Sequence, residues 1–361
     1  MKRLLVFAYA FNKSSQVFSH QADIIEKLSE YFDQTVVIAA DVGQVERSTY
    51  SNNLKSSEKI VVIEAEINRS SKLQENIETF FKLIRQFHQV GFSSVFYFMT
   101  ETSAAIFGLY FRIRGVQQVL WYAHAHMPVR LLFASLLMNR ICSSTRGSIP
   151  IKQQKVVLLG QMVDTKLFVY SPKPMHDKLS LIHYGRFDES KNISLLIRLA
   201  KNLEKSRPDT KLTVIGSPSN KEAMNYQKKV LEEFEPELES GLVHLFPACK
   251  RSELPFKIVE HDIFVHAFQG SLDKSLVEAT LIGIPTVTLN AEYLSEFGTW
   301  SRTQPKDFVT PEKFLEYEIE QVISLDKATL FNELEKRCEI ARSKHSLDNW
   351  IRGITQVLIG K

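Results

Sequence analysis

Three features of the 361-residue sequence predict an α/β protein with two open parallel sheets in tandem. Short β-rich apolar runs alternate with stretches of helical spacing almost from end to end. The first of these runs is apolar throughout, as suits a strand covered on both faces. The alternation breaks at Pro172 and Pro174 and then starts again, which marks a boundary between units.

Taken in order, residues 4–10 form the first strand. Residues 19–32 follow as a helix, with Ala22, Ile25, Leu28 and Phe32 at helical spacing. Residues 35–40 and 60–65 read as strands, and 73–90 as an amphipathic helix. Residues 94–99, 118–122 and 156–159 are short strands separated by helical patterns. Repeated βα units of this kind imply a parallel sheet with right-handed crossovers. The second series runs strand 179–184, helix 193–203, strand 211–215 ending at Gly216, helix 221–234, and strands 242–246 and 263–267. Then come helix 274–282, with Asp273 as its N-cap and Gly283 as its stop, strand 286–289, and closing helices over 330–342 and 347–358. Two such sheets are expected to face one another across a cleft, with ligands beyond the carboxyl ends of the strands.

Composition sets the outer bounds. Hydrophobic residues make up 44% and charged residues 24%, which excludes disordered and fibrous classes. Cys142, Cys249 and Cys338 stand far apart, so a disulfide framework or cysteine zinc site is not expected and a reduced, cytoplasmic setting is. No run approaches the roughly 18 apolar residues of a bilayer span. Met1-Lys2-Arg3 before an apolar run, with Ala8-Tyr9-Ala10 beyond it, mimics a secretory leader, but its apolar region is too short and a buried strand is the expectation.

The net charge of +4 is unevenly placed: residues 1–168 hold 19 Lys/Arg against 13 Asp/Glu, the remainder 26 against 28. Between Glu101 and Asp164 there are seven cations and no carboxylate. Such a stretch attracts phosphates or an anionic membrane surface, or it is simply a set of solvated arginines. Residues 130–140, apolar with an arginine at each end, read either as a membrane-resting segment or as a core helix with charged ends. Peripheral membrane contact is thus an expectation; nucleic acid as a partner is not.

Two constellations carry candidate chemistry. In the first, a strand ends at Gly185 and is followed by Arg186 and, five residues on, Lys191 near the next helix; a tight turn would let both cations grip one diphosphate. Surface cations near a helix start are the competing reading. In the second, Gly270, Ser271, Leu272 and Asp273 precede a helix that opens with Lys274, Ser275 and Leu276. Small residues there permit close backbone approach, and free N–H groups at the helix start favour an anion. Glu278, in the second turn, can accept hydrogen bonds from a ribose diol, or it is a surface partner of Lys274. His183, His261 and His266 read as satisfied structural histidines. His124 and His126 share a strand face, but no carboxylate stands near them in sequence and no metal is expected. There is neither G-x-S-x-G nor G-x-G-x-x-G, which disfavours a serine hydrolase and a nicotinamide enzyme.

These segments together resemble glycosyltransferase family 4 (group 1), which has the GT-B fold of two Rossmann-like domains. Further agreement comes from Gly160 with Val163, Asp164 and Phe168, from Trp121-Tyr122-Ala123-His124, and from His345-Ser346-Leu347-Asp348 at the start of the last helix. The resemblance is specific over residues 118–290 and loose over 1–117. It implies an N-terminal acceptor domain over 1–168, completed by a C-terminal helix at about 346–361, and a donor domain over 175–345. It also implies a retaining enzyme that takes a sugar from a nucleotide-diphosphate co-substrate, without cofactor or metal, to a saccharide or lipid-linked acceptor in surface polysaccharide or glycoconjugate synthesis. Arg186 and Lys191 would bind the diphosphate, and Glu278 would match the second glutamate of an E-x₇-E element and hold the ribose. The backbone from Ser271 to Ser275 would meet phosphates and sugar, His124 would touch the donor sugar, and residues 245–250 would surround the base. On the acceptor side stand Asn12, Lys13, Ser14, Ser15 and Gln16. One departure is plain: Gly270 occupies the place of the first glutamate, leaving sugar hydroxyls to Gln269 or Asp273. That departure keeps two alternatives open, a silent sugar-nucleotide-binding subunit and a GT-B epimerase.

Overall fold

The computed structural model describes residues 2–15, 19–65 and 73–360. The chain divides into two compact units, residues 1–160 with 348–361, and residues 161–347.

The first unit is built on a seven-stranded parallel sheet. Its strands are β1 (Arg3–Phe11), β2 (Gln34–Val42), β3 (Ile60–Glu64), β4 (Ser94–Phe98), β5 (Gln117–Trp121), β6 (Arg140–Ser143) and β7 (Val156–Leu158), in the order β3-β2-β1-β4-β5-β6-β7. Leu4 of β1 pairs with Thr35 on one side and Ser94 on the other, so the sheet reverses its winding between β1 and β4. Leu4, Leu5 and Val6 are wholly buried, as a strand covered on both faces requires. Phe7 stacks between Tyr97 and Phe107, with ring centroids 5.2 and 5.0 Å away. The last helix of the chain, Leu347–Ile359, belongs to this unit beyond its first residue. Ser94 Oγ donates to the Leu358 carbonyl at 2.8 Å, and the buried Trp350 ring lies 5.1 Å from Trp121 and 6.1 Å from Phe98. Trp350→Ala is expected to cost about 3–5 kcal/mol, the usual price of an aromatic deletion in a core, read as a lower midpoint in denaturant titration.

The second unit carries a five-stranded parallel sheet: β8 (Ser180–Tyr184), β9 (Lys211–Ile215), β10 (Val243–Phe246), β11 (Ile263–His266) and β12 (Thr286–Thr288), ordered β10-β9-β8-β11-β12. Its switch in winding falls between β8 and β11, and ligands of open α/β sheets bind at such points. Ile193–Ser206 covers one face with Ile193, Leu196, Ile197, Ala200 and Leu203. Lys274–Ile282 begins at Asp273, whose side chain accepts from the Ser275 N–H, and stops at Gly283 in the left-handed conformation (φ 88°). Both ends are where the sequence places them.

The elements predicted from sequence lie within three residues of their expected ends. Residues 130–140 are the main correction. The helix is Val129–Leu137, and Arg140 opens strand β6, whose four residues are too few to show a pattern of their own. The core-helix reading holds for one face alone: Leu131, Ala134 and Ser135 are buried, whereas Val129, Leu132, Phe133 and Leu136 are exposed. The helix Pro311–Ser324 also escaped the periodicity reading, although Thr310 caps it and Pro311 opens it. Short helices at Gln44–Thr49, Glu235–Glu239, Leu254–Ile258 and Ala291–Phe297 complete the additions. Among the described residues no helix is long and apolar enough to cross a membrane.

Candidate functional site

In the second unit the site grows from the carboxyl ends of β8 and β11. β8 delivers Gly185, whose φ of 156° suits glycine. The adjacent Gly216 lies so close that a Cβ there would stand 2.2 Å from the Gly185 carbonyl oxygen, so only glycine fits without moving the loop. Asp188 then caps a single 3₁₀ turn, Glu189–Lys191, by accepting from the Ser190 N–H at 3.1 Å, and Asn192 in the left-handed region leads into the next helix. This local geometry gives the two predicted cations different surroundings. Arg186 is exposed and lies 3.4 Å from Asp188, while Lys191 is buried and turned inward.

Lys191 Nζ bonds to Asp273 Oδ2 and sits 4.1 Å above the centroid of the Phe268 ring. The same Asp273 oxygen is 3.2 Å from His266 Nε2, and His266 Nδ1 lies 3.2 Å from Thr288 Oγ1. Asp273 is thus both helix cap and ion-pair partner. Burial pushes its carboxyl upward, but the Lys191 charge and the His266 bond outweigh it and hold the group well below the usual carboxylate range. Burial lowers His266 despite Asp273, and drives His183 down to about 3, aided by the neighbouring His266. His183 Nδ1 meets the Val265 carbonyl at 2.9 Å, and its buried Nε2 has no hydrogen-bond partner among the described residues. His266 therefore joins the charged cluster through Asp273, a role its sequence neighbours did not signal.

Gly270 is explained by packing. A Cβ at this position would fall 2.2 Å from Phe268 Cζ, so a glutamate here would turn the ring away from Lys191. The loop around Gly270 is held by one amide: Asn290 Nδ2 donates to the carbonyls of Phe268, Gly270 and Ser271 at 3.2, 3.1 and 3.2 Å. Leu272 is buried, with its carbonyl accepting from Gln161 Nε2. Tyr184 Oη donates to the Ser275 carbonyl at 2.8 Å, tying the helix to the end of β8. Asn290 was not legible as a site residue, because its three partners lie about twenty residues away in sequence.

Glu278 corrects the surface-pair reading. It is 2% exposed and bonds to Arg251, whose guanidinium also lies 5.2 Å from the Phe168 ring. Burial raises the Glu278 carboxyl against the pull of Arg251 and Lys274. Burial, together with the Arg251 charge, lowers Lys274 to about 8. Ser275 and Leu276 are buried beside them in the first turn. Arg251 was missed because it pairs with Glu278 across 27 residues.

The remaining predicted residues lie in the first unit. His124 is exposed after β5, its ring 5.7 Å from that of Tyr122. The Asn12–Ser15 turn is engaged locally. Asn12 Nδ2 donates to both carboxylate oxygens of Asp41 at 3.0 and 3.1 Å, and Asn12 Oδ1 accepts from the Ser14 N–H at 2.9 Å. Lys13 Nζ pairs with Glu26 at 2.8 Å, and the Ser15 N–H donates to the Asn12 carbonyl at 3.2 Å. Gln16 lies outside the described residues. A cavity of about 270 Å³, not foreseen from sequence, opens at the switch between β1 and β4; Phe7, Tyr9, Ile38, Thr100, Ser103 and Arg130 line it. Arg130 is fixed there by the buried Glu101. Among the described residues no group of three or more His, Cys, Asp and Glu side chains could hold a metal ion.

Comparison with known proteins bears on the fold and on residues 169–298. Residues 169–298 match the family model for glycosyl transferases, group 1. That span contains the Lys191–Asp273 and Arg251–Glu278 pairs. Three solved structures share the fold over nearly their whole lengths. Anabaena HepE in complex with UDP-glucose is 15% identical, with 99% of each chain covered and a TM-score of 0.73. A glycosyltransferase from Rickettsia africae is 13% identical, covering 100% of this chain and 99% of that one, with a TM-score of 0.73. Sucrose-phosphate synthase from Thermosynechococcus elongatus is 13% identical, covering 99% and 98%, with a TM-score of 0.67. No curated protein sequence gave a significant match. The fold of the chain is thus that of the GT-B glycosyltransferases. Over residues 169–298 the chain is similar to the group 1 glycosyl transferases.

Proposed function

We propose that the protein is a retaining, metal-independent glycosyltransferase that moves a hexosyl group from a nucleotide-diphosphate sugar to a saccharide or lipid-linked acceptor. Surface polysaccharide or glycoconjugate assembly is the process this reading assigns it to. The observation that carries the proposal is the placing of two ion pairs, Lys191 with Asp273 and Arg251 with Glu278, beside the β8/β11 switch in the span that matches the group 1 model. Solved structures of this fold hold UDP, UDP-glucose and UDP-2-fluoro glucose, which makes a UDP-sugar the first donor to test.

The chemistry follows from the charges. Lys191 has three N–H donors and spends one on Asp273, so its ammonium can also meet a diphosphate oxygen. Negative charge builds on the leaving diphosphate as the glycosidic bond breaks, and a preorganised cation in a dry site stabilises that charge without reorganising. Arg186, exposed on the same loop, adds a planar fork for a second phosphate oxygen. Glu278, with one oxygen on Arg251, retains acceptor capacity for a ribose diol.

One observation favours a second reading, a sugar-nucleotide-binding subunit without turnover: Phe268 fills the space in which a side chain at Gly270 would begin. The two readings separate on incubation with UDP-glucose and candidate acceptors. Release of UDP with a glycosylated product supports the transferase. Tight binding of intact UDP-glucose, with neither UDP nor a glycosylated product formed, supports the silent subunit.

A further inference from the structure

In the first unit the helices Glu101–Ile113 and Val129–Leu137 lie side by side. A Cβ at Gly108 would stand 2.9 Å from Leu137 Cδ1, and Arg112 Nη1 donates to the Leu137 carbonyl at 3.1 Å. Each helix turns an apolar stripe to solvent. Leu132, Phe133 and Leu136 are 47%, 59% and 61% exposed on one, and Leu109 and Ile113 are 57% and 78% exposed on the other. Side chains of this size are normally the ones a fold hides, and a run of them on adjacent helices marks an interaction surface.

The charge around the stripes has one sign. Arg112 and Arg114 close the first helix, and Arg140 follows the second; all three are exposed. Between Glu101 and Asp164 the chain has no carboxylate, and Glu101 is itself buried against Arg130. On the neighbouring helix Leu73–Gln89, Glu75 and Glu78 occupy the first turns, whereas Arg114 meets His88 at its last turn. An apolar stripe rimmed by cations, on helices too short to span a bilayer, is the pattern of a surface that lies in the headgroup region.

We propose that this two-helix face docks on an anionic phospholipid bilayer, Leu132, Phe133, Leu136 and Ile113 entering the acyl boundary and Arg112, Arg114 and Arg140 pairing with lipid phosphates. The inference goes beyond the transfer reaction and does not depend on it.

Flotation of the full chain with vesicles tests it without any nucleotide. The protein is expected to float with equimolar phosphatidylcholine–phosphatidylglycerol vesicles, to stay behind with phosphatidylcholine alone, and to be released by raised salt. The combined Leu132→Ser, Phe133→Ser and Leu136→Ser variant is expected to lose binding by about tenfold or more, from lost apolar burial. Arg112→Gln, Arg114→Gln and Arg140→Gln should each weaken it by about fivefold. Because these side chains are exposed, the apolar variant should melt at the wild-type temperature. Failure of the wild type to float with anionic vesicles overturns the proposal, as does undiminished flotation of the serine variant. A lipid-free dimer that the serine variant dissolves in sedimentation velocity also overturns it, by assigning the face to a second copy of the chain.

Discussion

Lys191→Ala is expected to lower turnover with a UDP-sugar by about 10²–10³-fold, the loss that follows removal of one preorganised stabiliser of developing negative charge. The effect should fall on kcat and kcat/KM together, because the missing interaction strengthens as the diphosphate departs. Asp273 separates this from a loss of structure. Without Lys191 its carboxylate keeps His266 Nε2 and the Ser275 N–H as donors, so the helix start remains satisfied and the melting temperature should move far less than the rate. Asp273→Asn tests the same pair from its other side. With no charge opposite it, Lys191 is more available to phosphate, and UDP affinity should hold or rise while the cap is kept. Wild-type turnover in Lys191→Ala would remove the lysine from the reaction.

The second large effect concerns Arg251. Glu278 is buried and Arg251 is its ion-pair partner, so Arg251→Ala strands a carboxylate in a poorly solvated place. Because Arg251 is itself 43% exposed, the full penalty for breaking a buried pair does not apply, and a loss of about 2–3 kcal/mol at neutral pH is expected. The sign with pH is distinctive. Burial already raises the Glu278 carboxyl above its ordinary 4.5, and loss of the arginine raises it further. A carboxyl whose folded-state pKa exceeds its unfolded value binds more protons when folded. Its unfavourable contribution is therefore absent below about 4.5 and grows as pH rises toward the folded-state value. The variant should regain stability relative to wild type as pH falls from 7 toward 5, measured by urea titration at each pH. A deficit constant over that range would show that Glu278 is not the stranded group. Glu278→Gln in the Arg251→Ala background should abolish the pH dependence.

Much of the second unit was legible because its signals are local. The helix at Lys274–Ile282 announces itself through an aspartate before it and a glycine after it, and the turn at Gly185 through a strand that ends in a small residue before two cations. What could not be read is what those residues touch. Asp273 and Lys191 are 82 positions apart, and Glu278 and Arg251 are 27 apart. Only the β8/β11 pairing, which no periodicity encodes, brings the first pair together. The same limit explains Gly270. Its sequence shows a missing glutamate, whereas its structure shows a phenylalanine ring already in that space and a lysine resting on the ring. In the first unit the cavity at the β1/β4 switch was invisible because its walls come from β1, β2 and residues on two helices, none carrying a motif. Residues 130–140 left a membrane-resting segment and a core helix both open because apolar residues stand at exposed and buried positions alike, Leu132 and Phe133 beside Leu131 and Ala134, and composition alone does not tell a docking face from a core face.

The central claim is that a nucleotide diphosphate is gripped at the β8/β11 switch of the second unit, and amide hydrogen exchange with and without UDP tests it most directly. Slowed exchange over residues 185–191 and 268–278, with the first-unit sheet unchanged, is the predicted result. UDP binding that leaves both segments exchanging at their ligand-free rates, or protects residues elsewhere in their place, would contradict it.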